Sequence, residues 1–197
     1  YSPDEVSLYL MDFKNGTEFK IYDSYRLPHI RLLAIDAMQE FGESILEELL
    51  NEVNRRSEQF KRTGVSKVAD YVGTTGKPMP RILVIMDEFQ QLFNSSTNRA
   101  IAGHCAELTK RIVTEGRSYG IHLLMATQST KIVSSLSIDM GTIEQMRIRI
   151  GLKCNEDDAR FLFKDNDIKA LGMMKGPIGT AVINQEYTES ETRKFRA

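Results

Sequence analysis

"RILVIMDEF", residues 81 to 89, decides how this chain folds. Ile82 to Met86 are apolar in unbroken succession and rich in branched side chains, as in a strand buried on both faces of a parallel sheet. Two carboxylates, Asp87 and Glu88, close the run. Downstream, "GRSYGIHLLMATQST" (116 to 130) holds a second apolar run, Ile121 to Ala126, which ends on Thr127 and Gln128 and reads as another buried strand. Between them, Asn98 to Arg117 reads as a helix with Ile101, Cys105, Leu108, Ile112 and Val113 on its apolar stripe. A strand, a long helix and a strand make a crossover unit, so the two strands are parallel and their carboxyl ends share one sheet edge.

The pattern extends in both directions. Val6 to Met11 is a further short strand, which ends on Asp12, Phe13 and Lys14 before the turn pair Asn15 and Gly16. From Ala37 to about Arg62, Phe41, Ile45, Leu49 and Val53 recur every fourth residue with Leu46 and Leu50 beside them, the mark of a long amphipathic helix. Its basic end, Arg55, Arg56, Lys61 and Arg62 before Gly64, complements a helix dipole. Residues 64 to 80 read as a loop around a short helical turn. "RIRIGLKC", Arg147 to Cys154, alternates as a half-exposed strand near the sheet edge, Asn155 is the N-cap of "EDDARFLF", and Gly179 to Asn184 is a final strand. Phe161 and Phe163 read as core residues, since no basic run flanks them. The sum is a single α/β domain, residues 1–197, with a mostly parallel sheet flanked by helices.

Composition narrows the partners. Lys and Arg total 26 against 27 Asp and Glu, so the net charge of −1 gives no general footprint for a polyanion. Cys105 and Cys154 are far apart and form no C-x-x-C pair, which fits a reducing compartment, and the three histidines have no metal-ligand spacing. No signal peptide and no run of about 20 apolar residues is present, so a cytoplasmic domain is expected, whether or not the parent protein is anchored elsewhere.

Ligands of open α/β sheets bind beyond the carboxyl ends of the strands. That edge carries Asp12 and Lys14, then Asp87 and Glu88, then Thr127 and Gln128. Adjacent carboxylates ending an apolar strand suit nucleotide hydrolysis, the first holding magnesium and the second orienting water. The plainer alternative is that Asp87 and Glu88 cap the following helix, "FQQLFN".

"ILVIMDEFQQLF", "EGRSYGIHLLMATQS" and "VNRRSEQFKRTGVSKVADY", with "LYLMDFKNG" followed by "LPHI", resemble the motor domain of the FtsK/SpoIIIE family of P-loop ATPases over roughly residues 5 to 185. The resemblance implies a RecA-like P-loop core that uses ATP and magnesium. It makes Asp87 the magnesium-linked carboxylate, Glu88 the general base and Gln128 the γ-phosphate sensor, with Thr127 in support. Arg117 and the pair Arg55 and Arg56 match family arginines, and Arg117 or Arg56 is a candidate to reach a neighbouring subunit's nucleotide in a ring, expected to be hexameric. Each is equally well read as a helix-end or salt-bridge residue.

A phosphate loop needs G-x-x-x-x-G-K-[ST] between a strand and a helix. "GTTGKPMP" (73 to 80) fails this pattern, because Pro78 replaces the hydroxyl residue and a strand follows. The chain is therefore expected to be a motor fragment without its first strand and phosphate loop, inactive in isolation. The leading expectation for the parent is translocation of double-stranded DNA. Alternatives are a type VII secretion motor with a protein cargo and a noncatalytic interaction domain.

Overall fold

The apolar run at 82–86 becomes one of two inner strands of a parallel sheet. The computed structural model describes residues 1–14, 18–128, 137–152, 154–163, 177–185 and 192–196. Strands β1 (Val6–Asp12), β2 (Ile30–Ala34), β3 (Arg81–Asp87) and β4 (Ile121–Met125) lie in the order β2-β1-β3-β4, all parallel. The register runs from Val6 opposite Arg81 to Asp12 opposite Asp87, and from Ile82 opposite Ile121 to Met86 opposite Met125. Strand ends that sequence spacing could only place on one edge are thus level with one another. Helix α1 (Lys20–Tyr25) and strand β2 form a crossover that the sequence reading did not resolve. The turn pair Asn15 and Gly16 lies outside the described residues.

Burial corrects one expectation. On β3, Ile82, Val84 and Met86 are buried while Leu83 and Ile85 are only half-buried. On β4, Ile121 is buried but His122 and Leu124 are exposed. Neither strand is covered on both faces, because the helices lie over the Ile82 side and β4 has one hydrogen-bonded neighbour among the described strands.

Helix α2 (Gln39–Thr63) matches the expected span, but its buried stripe is rotated. Leu46, Leu49, Leu50, Val53, Arg56 and Phe60 face inward, whereas Phe41 is exposed and Ile45 half-buried. No side chain caps the helix at Met38. A missing cap costs about 1 kcal/mol, but each buried aliphatic contributes about 1.5–3 kcal/mol, so packing determines where this helix lies. Gly64 ends it in a left-handed conformation (φ 70°), its N–H donating to the Phe60 carbonyl. Helix α3 (Val68–Thr75) then adds Val68 and Tyr71 to a cluster with Phe60 and Met79. Helix α4 (Arg99–Glu115) packs on α2 and is capped by Asn98 Oδ1, which accepts from the N–H groups of Ala100 (3.1 Å) and Ile101 (3.3 Å). Its buried residues are Ala102, Cys105, Ala106, Leu108, Thr109 and Ile112; Ile101 and Val113 sit at the margin. Cys105 is a buried free thiol with its pKa pushed up to about 12 by burial, and Cys154 is also free.

The contacts gather into two compact units, residues 1–128 with 137–139 and the described residues from Met140 onward. In the second unit, β5 (Arg149–Leu152), β6 (Thr180–Asn184) and β7 (Thr192–Arg196) form an antiparallel sheet in the order β5-β6-β7, with α5 (Met140–Glu144) and α6 (Glu156–Phe163). The alternating "RIRIGL" strand therefore edges this separate sheet and not the parallel one. It also faces opposite to the hydrophobic rule: Arg149 and Gly151 are buried, Ile150 and Leu152 exposed. Arg149 is accommodated because it donates to the carbonyls of Met146 (3.2 Å), Leu162 (3.0 Å) and Ile143 (2.9 Å). Asn155 caps α6 as expected, its Oδ1 accepting from Asp158 N–H at 2.9 Å, while Phe163 packs with Ala159 and Val182.

Arg56 is the most consequential single side chain of the first unit. It is 2% exposed and spans three elements, donating to Glu52 Oε1 (2.6 Å), the Tyr119 carbonyl (2.7 Å) and the Pro80 carbonyl (2.8 Å). The last two bonds hold the starts of β4 and β3 against α2. Replacing it leaves two part-buried carbonyls and part of Glu52 without donors, so Arg56→Ala is expected to lower stability by about 2–4 kcal/mol. Arg56→Lys should recover less than half of that loss, because one ammonium cannot span three acceptors in these directions. Urea unfolding of the chain measures both; a loss below about 0.5 kcal/mol for Arg56→Ala, the range of an ordinary surface substitution, would refute this assignment.

Candidate functional site

The carboxyl ends of β1, β3 and β4 meet at one edge. Their alignment is fixed by backbone hydrogen bonds: Phe13 N–H donates to the Asp87 carbonyl (3.2 Å), Ala126 N–H to the Met86 carbonyl (2.8 Å), and Phe89 N–H to the Ala126 carbonyl (3.1 Å). Asp12 and Asp87 are register partners at the ends of neighbouring strands. Beyond β3 the chain turns sharply. Glu88 has a left-handed backbone (φ 52°, ψ 43°), uncommon for a residue with a side chain and concentrated at functional sites.

That turn is anchored from below. A 3-10 turn (Phe89–Gln91) follows Glu88, and Phe89, Leu92 and Phe93 enter the core, with Phe89 and Phe93 in edge contact at 6.1 Å. Gln39, at the start of α2, is 6% exposed and its amide donates to the carbonyls of Gln91 (2.9 Å), Leu92 (3.1 Å) and Asn94 (3.1 Å). The β1 end is anchored in the same way. Phe13 is buried against Gly42, where an added Cβ would meet the Phe13 ring at 3.0 Å and Leu92 at 2.6 Å. Asp12 Oδ1 accepts from Lys14 N–H at 2.7 Å, so Lys14 leaves the strand in a defined direction.

The side chains of this edge are unequally placed. Glu88 is 2% exposed; its Oε2 accepts from the Gln90 amide, and its Oε1 has no hydrogen bond and lies 3.7 Å from the half-exposed Lys14 ammonium. Glu88 does not cap the following turn, which removes the capping alternative for this residue. Asp87 is half-buried, and its pKa is raised, chiefly by burial and then by the carboxylates of Glu88, Asp12 and Glu18, against the pull of the Glu88 backbone N–H. Among the described residues, Asp12 Oδ2, Glu88 Oε1 and Gln90 Oε1 are buried without hydrogen-bond partners. Thr127 is half-buried and Gln128 exposed, both following β4 on the same edge.

Of the expected site residues, the fold therefore brings Asp87, Glu88, Thr127 and Gln128 to one edge. It does not bring the arginines there. Arg56 is held inside beside the strand starts, and Arg117 is exposed in the turn that precedes β4, at the opposite sheet edge. "GTTGKPMP" also lies away from the edge: α3 ends at Gly76, and Lys77 to Pro80 lead into β3, lining a cavity of about 420 Å³ with Arg31, Glu52 and Tyr9. Gln39 and Gln90 escaped the sequence reading. For Gln90 the only signal was an amide two residues after the glutamate; for Gln39 there was none, because its partners are more than 50 positions away.

Could this edge share a magnesium ion? Among the described residues no group of three or more His, Cys, Asp or Glu side chains is arranged to hold a metal by itself. One accessible carboxylate, Asp87, beside buried unpartnered oxygens fits the different case of an ion held by one protein carboxylate, water and phosphate oxygens.

The FtsK/SpoIIIE family model matches residues 1–131. The chain is 26% identical over 182 residues to the ESX secretion system protein EccC of Geobacillus thermodenitrificans, covering 87% of this chain and 11% of that protein. Its fold resembles the pCW3 conjugation coupling protein TcpA, solved with ATPγS (TM-score 0.76, 20% identity, 99% of this chain and 52% of that one). It also resembles ATPases 2 and 3 of Thermomonospora curvata EccC, solved in complex with a signal sequence peptide (TM-score 0.69, 17% identity, 100% of this chain and 33% of that one). The chain spans about a tenth of the length of the Geobacillus relative. The chain shares the fold of these solved neighbours and belongs to the FtsK/SpoIIIE family.

Proposed function

We propose that this domain is a hydrolytic unit of an ATP-driven motor whose cargo is a secreted protein, as in type VII secretion. The observation that carries the ATPase part is the buried Glu88 held beside Asp87 at the carboxyl end of β3, level with the ends of β1 and β4. The cargo part rests on the EccC relatives, one of them solved with a signal sequence peptide. It displaces DNA translocation as the leading reading because the EccC relatives are secretion proteins; a net charge of −1 supplies no polyanion footprint that would favour DNA.

In this reading Asp87 holds magnesium, which when bound neutralises phosphate charge. Glu88 receives the proton of the attacking water at Oε1, the oxygen that Gln90 does not engage. Thr127 and Gln128 lie at the neighbouring strand end, where Gln128 reports on the γ-phosphate. Burial of Arg56 leaves Arg117 as the exposed candidate to reach an adjoining subunit's nucleotide in a ring. The domain acts in the cytoplasm; none of the described helices is long and apolar enough to cross a membrane.

The Asp87 environment has a cost. Because its folded pKa is raised, ionisation favours the unfolded chain, and stability is lost as pH rises through the window from its unfolded to its folded value. Asp87→Asn should therefore raise the urea midpoint of the nucleotide-free chain at pH 7, and the gain should vanish below the ordinary carboxylate range. A gain that persists unchanged at low pH would point to packing instead.

In the intact protein carrying this domain, Glu88→Gln should retain ATP binding and lose turnover by about 100-fold or more. The cargo is identified by adding a secreted substrate's signal peptide or duplex DNA to the wild-type assembly. Stimulation by the peptide alone supports the proposal; stimulation by DNA alone, abolished by moderate salt, would replace it with translocation. Arg117→Ala and Glu88→Gln proteins should each be nearly inactive and regain activity when mixed. Failure to regain it in confirmed mixed rings would exclude action across subunits.

A further inference from the structure

The base assigned to Glu88 needs an orienting partner, and we infer that Gln90 is the residue that holds it, resting on the reading of Glu88 given above. Three features converge. Gln90 is 5% exposed and its Nε2 donates to Glu88 Oε2, an unusual use of a buried amide two residues away. The left-handed backbone at Glu88 and the 3-10 turn that follows fold these two side chains onto one another. Finally, the amide is held with Nε2 toward the carboxylate while Gln90 Oε1 has no hydrogen-bond partner among the described residues, so Glu88 is the group this side chain is bonded to.

The consequence is an asymmetry within Glu88. One oxygen is occupied by a neutral donor, which fixes the carboxylate plane without supplying a full positive charge. The other remains open to take a proton. The Lys14 ammonium, 3.7 Å from that open oxygen and half-exposed, is too distant for a hydrogen bond and contributes a field rather than a fixed geometry. The turn is anchored at its end, because Gln39 donates to the carbonyls of Gln91, Leu92 and Asn94 and because Leu92 and Phe93 are buried. Gln90 is therefore a positioning residue that acts through Glu88 and does not touch nucleotide.

Gln90→Met keeps the side chain's length and approximate volume and removes the donor. In the intact protein it should lower kcat by about tenfold or more, a share of the general-base contribution, with KM for ATP unchanged within about twofold. The distinguishing measurement is the same substitution in a Glu88→Gln background. If Gln90 acts through Glu88, Gln90→Met causes no further loss there; if it only supports the fold, the same factor is lost in both backgrounds. Thermal unfolding of each variant accompanies the kinetics, and a kcat loss that follows the loss of folded protein would overturn the inference. An unchanged kcat in Gln90→Met would overturn it as well. Glu88→Gln with normal turnover would instead sink the assignment of the base, a separate result.

Discussion

A carboxylate with 2% exposure cannot be left to solvent, and the first unit is organised around that constraint. Glu88 needs a donor, a nearby positive charge and a rigid backbone, and each is delivered by a different segment. Gln90 comes from the following turn, Lys14 from the end of β1, and rigidity from Gln39 at the start of α2. The parallel register makes this possible. With Asp12 opposite Asp87, a slip of one residue between β1 and β3 would turn the strand-end side chains to the other face of the sheet. The long apolar runs are thus the means by which polar groups from distant segments reach the same edge.

The opposite edge has a different task. There Arg56 joins α2 to the carbonyls that precede β3 and β4, with the planar guanidinium satisfying three acceptors in one plane. Gly120 is part of the same junction: its φ of 72° begins β4, and a Cβ there would meet Val68 at 2.8 Å and the Arg56 guanidinium at 3.4 Å. The anchoring contacts are therefore at the strand starts and the proposed chemistry at the strand ends. The separation lets Asp87 remain electrostatically unfavourable without loosening the sheet.

Much of this was legible in the sequence, for physical reasons that can be named. Unbroken branched apolar residues fixed β3, and the Asn155 cap and Gly64 fixed helix ends, because those signals are local. Asp87, Glu88, Thr127 and Gln128 could be placed together because a crossover of parallel strands leaves one arrangement of their ends. What failed depended on distant partners. The stripe of α2 was read a quarter-turn off because Gly42, not Phe41, is the residue that permits close approach to Phe13 and Leu92. The Arg147 to Cys154 strand was assigned to the wrong sheet, since alternation shows a half-buried strand but not which face is buried or which neighbour it has. Arg56 carried a basic helix-end signal, although its burial is set by carbonyls 24 and 63 positions away.

The central claim is that the end of β3 is a hydrolytic site in which Asp87 takes the cation and the open oxygen of Glu88 takes the water. A high-resolution structure of the intact protein with magnesium and a non-hydrolysable ATP analogue tests it most directly. The account predicts a magnesium ion whose protein carboxylate contact is Asp87, directly or through one water, and an ordered water within about 3 Å of Glu88 Oε1, with Gln90 still bonded to Oε2. Nucleotide bound with its magnesium away from Asp87, or with Glu88 Oε1 turned from the γ-phosphate, would contradict it.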